Sequence, residues 1–290
     1  MKKSAILITG ASGEIGQALV SSLAEQNEKE LVTFDLSPLP EELKGMSNHI
    51  TGDIRDEAII EELERNYQFH AIFHMAAMLS TTGEYKPVLA HQVNTGGTLK
   101  LLEMAAQQSQ ELSQPVKFIF PSSIAAYGIP DLETKMGIGK IKEENCLNPS
   151  TMYGCTKLYC EKVGSYFSEH YLQLSDQKPT RLDFRALRFP GLISAFTVPS
   201  GGTSDYGPEM LHAAAQNKPY ACFVRPEVQI PFMVMPDAVR SMLLLAEAPR
   251  NKLSRRVYNV TAFSLAARDF REMVQASFPG AEIEFDPDQK

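Results

Sequence analysis

The feature that most constrains this chain is a glycine-rich turn set between two kinds of pattern. Ala5-Ile6-Leu7-Ile8-Thr9 is a short apolar run, and Gly10-Ala11-Ser12-Gly13-Glu14-Ile15-Gly16 follows at once and opens a helical stretch. The spacing is G-x-x-G-x-x-G. A strand that turns straight into a helix needs residues without a Cβ, both at the turn and where helix and strand pack closely. The alternation then repeats. Residues 5–9, 31–35, 71–74, 118–121 and 184–189 read as strands, nearly continuous apolar runs of the kind covered on both faces. Longer helical patterns separate them, which predicts an α/β fold with a doubly wound parallel sheet.

A glycine turn of this kind lets backbone N–H groups approach a pyrophosphate, and the helix N-terminus adds partial positive charge. Asp35 ends the second strand about 20 residues later, where a carboxylate can bond a ribose hydroxyl. A carboxylate there repels a 2′-phosphate, and no arginine follows it directly, so NAD is favoured over NADP. The other reading of Asp35 is that it starts the turn at Ser37-Pro38. Gly52-Asp53-Ile54-Arg55-Asp56 follows, in which Asp53 or Asp56 can also cap a helix.

The chain has 290 residues, 43% of them hydrophobic and 22% charged, enough apolar content for a large core. Its formal net charge of -7 argues against nucleic acid and anionic membrane surfaces as partners. No apolar run reaches the roughly 20 residues that span a bilayer. Met1-Lys2-Lys3 precedes an apolar stretch too short for a signal peptide. The cysteines Cys146, Cys155, Cys160 and Cys222 form no C-x-x-C, and the histidines form no H-E-x-x-H. No metal site is expected, and reduced thiols imply a cytoplasmic setting.

One helix is expected from about residue 87 to 108 and another from about 150. On the second, Cys155, Leu158, Tyr159, Lys162, Val163, Tyr166 and Phe167 recur at helical spacing and read as core or dimer contact. After Pro190 frequent glycines and prolines break the chain into short elements, which reads as a smaller cap. The expected organisation is a dinucleotide-binding domain over 1–189 plus a returning segment at about 230–260. A smaller C-terminal substrate-binding domain takes 190–229 and 261–290.

Tyr153-Gly154-Cys155-Thr156-Lys157 is the sharpest chemical signal. Tyrosine and lysine four residues apart share one helix face. A phenol with a pKa near 10 is a poor base at neutral pH, and a nearby ammonium is expected to lower that value. The phenolate can then take a proton from an alcohol as hydride leaves for a nicotinamide ring. Phe120-Pro121-Ser122-Ser123 ends a strand and offers a hydroxyl to the reacting oxygen.

These motifs, with His74-Met75-Ala76-Ala77, Val93-Asn94-Thr95-Gly96-Gly97-Thr98 and Ser122-Ser123-Ile124-Ala125-Ala126-Tyr127-Gly128, resemble the extended short-chain dehydrogenase/reductase family, with its Rossmann-type sheet. The resemblance implies a catalytic set of Ser123, Tyr153 and Lys157, with Ser123 preferred over Ser122. For the cofactor NAD it implies contacts from Gly10, Ser12, Gly13, Glu14, Ile15, Asp35, Asp53, Ile54, Met75, Ala76, Ala77, Asn94, Tyr153, Lys157, Pro190 and Leu192. Asp53 and Ile54 would flank adenine. Asn94 would support the lysine or a structural water, and His74 would sit near the cofactor.

The second half resembles the branch of that family that oxidises L-threonine. The matching segments begin at Leu187-Arg188-Phe189-Pro190-Gly191, Gly201-Gly202-Thr203-Ser204-Asp205-Tyr206 and Pro231-Phe232-Met233-Val234. This implies a small-molecule amino-acid substrate bound by Ser80, Ser123, Tyr153, Gly202, Thr203 and Ser204, with Arg188 acting near the site. It also implies a homodimer built on the two long helices. The alternative is a UDP-sugar epimerase or dehydratase that holds NAD. That branch usually carries a tryptophan-bearing tail, whereas this sequence has no tryptophan and stops at Asp288-Gln289-Lys290. Either the tail is missing or the site closes differently. Against that branch, insertions are read at 109–114 and 172–180.

Overall fold

The structure, a computed structural model, describes residues 2–25, 29–176, 179–199 and 201–287. In chain order the strands are β1 (Lys3–Thr9), β2 (Glu30–Asp35), β3 (Asn48–Thr51), β4 (Tyr67–His74), β5 (Lys117–Ser123), β6 (Asp183–Phe189), β7 (Gly191–Ile193), β8 (Tyr220–Cys222), β9 (Gln229–Val234), β10 (Val257–Asn259), β11 (Phe263–Ala266) and β12 (Ile283–Phe285). The helices are α1 (Glu14–Ala24), α2 (Glu57–Asn66), α3 (Ser80–Tyr85), α4 (Pro87–His91), α5 (Gly97–Leu112), α6 (Leu132–Gly137), α7 (Met152–Glu169), α8 (Tyr206–Ala215), α9 (Met235–Glu247) and α10 (Ala267–Ser277). Among the described residues, no helix is long and apolar enough to cross a membrane.

The chain divides into two compact units, Met1–Arg188 with Val239–Asn259, and Phe189–Ala238 with Val260–Lys290. In the first, a sheet runs in the order β10-β6-β5-β4-β1-β2-β3. The pairs β10/β6, β5/β4, β4/β1, β1/β2 and β2/β3 are parallel. Strand order reverses between β1 and β4, so the segments leaving those two strands flank the switch point where doubly wound sheets bind their ligands.

The core follows from the apolar runs. Leu7, Val32, Phe34, Phe69, Ile72, Phe118 and Phe184 are buried with Leu101, Leu102, Ala105, Cys160 and Phe167 from the covering helices. Local chemistry sets the helix starts. The Asp56 carboxylate accepts from Ala58 N–H at the start of α2, and Thr151 Oγ1 accepts from Gly154 N–H at the start of α7. Pro87 opens α4. The helix expected over 87–108 continues through a π-helical turn, Gln92–Gly96, to Leu112. Most of the insertion read at 109–114 is therefore helix. Ser109 Oγ accepts from Val116 N–H and closes its end. Residues 177–178 of the second insertion lie outside the described residues.

Two expectations change. On α7 the buried face is Gly154, Thr156, Lys157, Cys160, Glu161, Gly164, Phe167 and Ser168. Cys155, Tyr159, Lys162 and Tyr166 are exposed. Most of the stripe therefore faces outward from this unit, which removes the core half of the reading and leaves the dimer-contact half, because buried polar groups have taken the inner face. The return to the first unit begins at Val239 rather than near residue 230. The cause is β9, which pairs with β7 and β11 in the second unit.

In that second unit β9 lies between antiparallel β11 and parallel β7, and β8 pairs with β12. Tyr206, Met210, Phe232, Phe270, Val274 and Ile283 form its core.

Candidate active site

The glycine turn is shaped for close backbone approach. Gly10 has φ +67, and a Cβ there would meet Ala76 N at 2.4 Å and the Met75 carbonyl carbon at 2.6 Å. At Gly16 a Cβ would fall 2.1 Å from Gly10 O. Gly13 forms the N-cap of α1 with no side-chain cap hydrogen bond. Glu14 and Ile15 begin the helix. The segment leaving β4 is tied to the same turn, since Met75 N–H donates to Thr9 O at 2.9 Å and Ala76 N–H to Thr9 Oγ1 at 3.4 Å. The structure thus brings Gly10, Gly13, Glu14, Ile15, Met75 and Ala76 together at the switch point.

Asp35 takes part in both arrangements read from sequence. Its carboxylate accepts from Ser12 N–H and from Ser37 N–H, each at 3.0 Å. It therefore braces the glycine turn and starts the following turn, and it is half-buried at the end of β2. Asp53 is held by Arg55, whose Nη2 donates to Oδ2 at 2.6 Å. That hydrogen bond keeps the carboxyl below its ordinary range. Helix capping falls to Asp56, and the Ile54 side chain lies in the core.

His74 ends β4 fully enclosed. Nδ1 pairs with Thr9 Oγ1 at 2.6 Å and Nε2 with Thr98 Oγ1 at 2.9 Å. Burial, helped by the charge of Lys157, pushes it down to about 3, so the ring is neutral. Asn94 sits in the π-helical turn, a feature frequent at functional sites. Its Oδ1 accepts from Met78 N–H at 2.7 Å, and its Nδ2 donates to Met78 O and Thr156 Oγ1, each at 3.1 Å. Asn94 thus reaches α7 through Thr156, the neighbour of Lys157, rather than through a bond to Lys157 itself. It latches the 75–79 segment to α7, and Lys157 takes a different partner.

That partner is a backbone carbonyl. Lys157 Nζ donates to Pro121 O at 2.7 Å and lies 4.6 Å from the Phe120 ring centroid and 5.4 Å from that of Tyr153. The phenol is not made acidic here. Burial pushes Tyr153 up instead, and its hydroxyl has no hydrogen-bond partner among the described residues. Burial lowers Lys157 to about 8, with Cys160 and Glu161 opposing the fall. Of the two serines ending β5, Ser122 is buried against Glu161, with Oγ donating to Oε1 at 2.5 Å. Ser123 is half-buried, its Oγ accepting from Ala125 N–H at 3.1 Å. Ser80 is buried at the start of α3, whose Glu84 accepts from Met152 N–H at 2.6 Å.

Residues 6–261 match the family model described as NAD dependent epimerase/dehydratase. The chain belongs to the NAD dependent epimerase/dehydratase family. The mitochondrial L-threonine 3-dehydrogenase of Bos taurus is 32% identical over 292 residues, which cover 98% of this chain and 71% of that protein. The holo form of the GalE-like L-threonine dehydrogenase from Cupriavidus necator is 32% identical, with a TM-score of 0.84 over 98% of this chain and 86% of that one. A monomeric L-threonine 3-dehydrogenase from a metagenome is 34% identical, with a TM-score of 0.80 over 98% and 85%.

In this family member the second unit carries the other residues read from sequence. Pro190 is buried beside β7, and Leu192 lies on β7 paired with Met233. Asp205 Oδ2 accepts from Gly201 N–H at 3.0 Å and Gly202 N–H at 2.6 Å, which shapes the loop bearing Thr203 and Ser204. Sequence reasoning missed Glu161 and Glu84. Glu161 had a signal, since it stands four residues beyond Lys157 and so shares its helix face.

Proposed function

We propose that this chain is an NAD-dependent L-threonine 3-dehydrogenase, oxidising the hydroxyl-bearing carbon of L-threonine to 2-amino-3-oxobutyrate. The observation that carries the reading is the near-full-length likeness, in sequence and in fold, to proteins named L-threonine dehydrogenases. The tight turn at Gly10, seated directly on the backbone of Met75 and Ala76, and the N-terminus of α1, which has no side-chain cap, fit a dinucleotide, since backbone N–H groups there can turn to a pyrophosphate. Gly10, Ser12, Gly13, Glu14 and Ile15, with Met75, Ala76 and Ala77, would hold its phosphates and ribose. Asp35 would take the adenosine ribose hydroxyls, and Asp53 with the backbone of Ile54 would take adenine. Bound there, NAD would supply the hydride acceptor.

Tyr153 receives the hydroxyl proton, and Ser123 hydrogen-bonds the reacting oxygen. The pair Tyr153–Lys157 must lose one proton before it can accept one. Lys157, at about 8, marks the pH region where that occurs. Lys157 would also hold ribose hydroxyls of the cofactor. Asn94 contributes by holding the 75–79 segment in place. Ser80, Gly202, Thr203 and Ser204 would bind the amino acid, and Pro190 and Leu192 would contact the cofactor.

The same proposal includes a homodimer through α4, α5 and α7. It is supported by the exposed apolar side chains Val88, Tyr159 and Tyr166. Sedimentation tests it, and a monomer, as named for the metagenomic relative, would remove it. The four unpaired cysteines support a cytoplasmic setting.

The deciding experiment supplies purified protein and NAD with L-threonine or with UDP-galactose. NADH formation with threonine alone supports the reading. Epimerisation of the UDP-sugar without NADH release from threonine would replace it with the epimerase alternative.

A further inference from the structure

We infer that Glu161 is a positioning residue that acts through Lys157, tying the end of β5 to α7 and setting the pH at which the Tyr153–Lys157 pair gives up its first proton. The inference rests on the roles proposed above for Tyr153 and Lys157.

Lys157 and Glu161 stand one turn apart on α7, both almost fully buried. They grip consecutive residues of β5. Lys157 Nζ donates to Pro121 O, and Glu161 Oε1 accepts from Ser122 Oγ. The next residue is Ser123. On its other side Glu161 is paired in bidentate fashion with Arg188 of β6, Nε to Oε1 at 2.8 Å and Nη2 to Oε2 at 2.6 Å. Arg188 Nη1 donates onward to Tyr127 Oη at 2.8 Å and Glu143 O at 2.7 Å, and Tyr127 Oη donates to Asn259 Oδ1 at 2.7 Å. A buried ion pair adds little to stability that a packed apolar pair would not supply. A carboxylate one turn from a buried ammonium supplies something an apolar pair cannot, namely a charge that favours the protonated lysine.

The groups facing Lys157 isolate Glu161 in that role. From β4, His74 is neutral, pushed to about 3 by burial. From α7, burial raises Tyr153 and lifts the Cys160 thiol to about 11, so Cys160, which favours the protonated lysine only when ionised, is a neutral thiol over the range near 8 where Lys157 titrates. From β6, Arg188 lies behind Glu161 and is bonded to it. From β5, Phe120, Pro121 and Ser122 bring no titratable group. Glu161 is the carboxylate in this set.

The test follows Lys157 by NMR in full-length protein carrying isotope-labelled lysine, its signal assigned by loss in Lys157→Arg. The midpoint is expected near 8 in the wild type and about one pH unit lower in Glu161→Gln. The acid limb of threonine-dependent NADH formation should move by the same amount. If leaving Arg188 unpaired prevents Glu161→Gln from folding, the double variant Glu161→Leu/Arg188→Met removes both charges, and its midpoint should still fall, by less than in the single variant, because the nearer charge lost is the carboxylate. A midpoint that stays put while stability falls would show a purely structural role and overturn the inference. The NMR titration needs no substrate, so failure to oxidise threonine would strike the proposed function and leave this result to stand or fall alone.

Discussion

Replacing Gly10 with alanine separates two costs that the glycine turn avoids. Gly10 and Gly45 both have positive φ, +67 and +80, but their surroundings differ. An alanine Cβ at Gly45 meets nothing within 4 Å, whereas at Gly10 it meets Ala76 N at 2.4 Å and the Met75 carbonyl carbon at 2.6 Å. The left-handed backbone costs an alanine roughly 1–2 kcal/mol. The smaller entropy of the unfolded chain returns about 0.4–1 kcal/mol of that. Gly45→Ala should therefore destabilise by about 1 kcal/mol. Gly10→Ala adds an overlap with backbone that cannot rotate away, worth roughly 1–3 kcal/mol, for a total of about 2–4 kcal/mol. At about 2–4 °C per kcal/mol, melting should fall by roughly 4–16 °C in Gly10→Ala and only a few degrees in Gly45→Ala. Thermal unfolding by circular dichroism with and without NAD reads both. NAD should raise the melting temperature of wild type and Gly45→Ala but not of Gly10→Ala. Equal losses in the two variants, or retained stabilisation by NAD in Gly10→Ala, would refute the claim that the turn is built for close approach.

Asp35→Ala should weaken NAD binding about tenfold relative to NADP, the loss of one or two hydrogen bonds to charge, as read by fluorescence titration with each cofactor. An unchanged ratio would leave Asp35 as a turn residue alone. The buried neutral His74 makes stability depend on pH. Its pKa falls from 6.5 to about 3 on folding, so the unfolded chain binds the extra proton between those values. Stability is therefore lost as pH falls from about 6.5 to about 3, by about 5 kcal/mol in all from this group. In His74→Gln, urea unfolding at several pH values should show a shallower acid slope, and an unaltered slope would assign the acid sensitivity elsewhere.

The strands that build the sheet were legible because each is a run of apolar residues covered on both faces. β3 was not, since Asn48-His49-Ile50-Thr51 is an edge strand with a single aliphatic side chain, and β10 is a three-residue edge. The glycine turn and the Tyr153/Lys157 spacing were legible because local geometry alone demands them. The inward face of α7 was not. Hydrophobic periodicity selects apolar stripes, and here the helix buries Lys157 and Glu161, whose burial depends on Pro121, Ser122 and Arg188 from distant strands. The same dependence reversed the expectation for Tyr153. Spacing put an ammonium near the phenol, but desolvation by the surrounding fold raises its pKa.

The most direct test is turnover of L-threonine by Tyr153→Phe. With NAD and saturating threonine, removal of the hydroxyl should lower NADH formation by about a thousandfold, while NAD affinity changes little, because only the proton acceptor is lost. NADH formation at near wild-type rate in that variant would contradict the account.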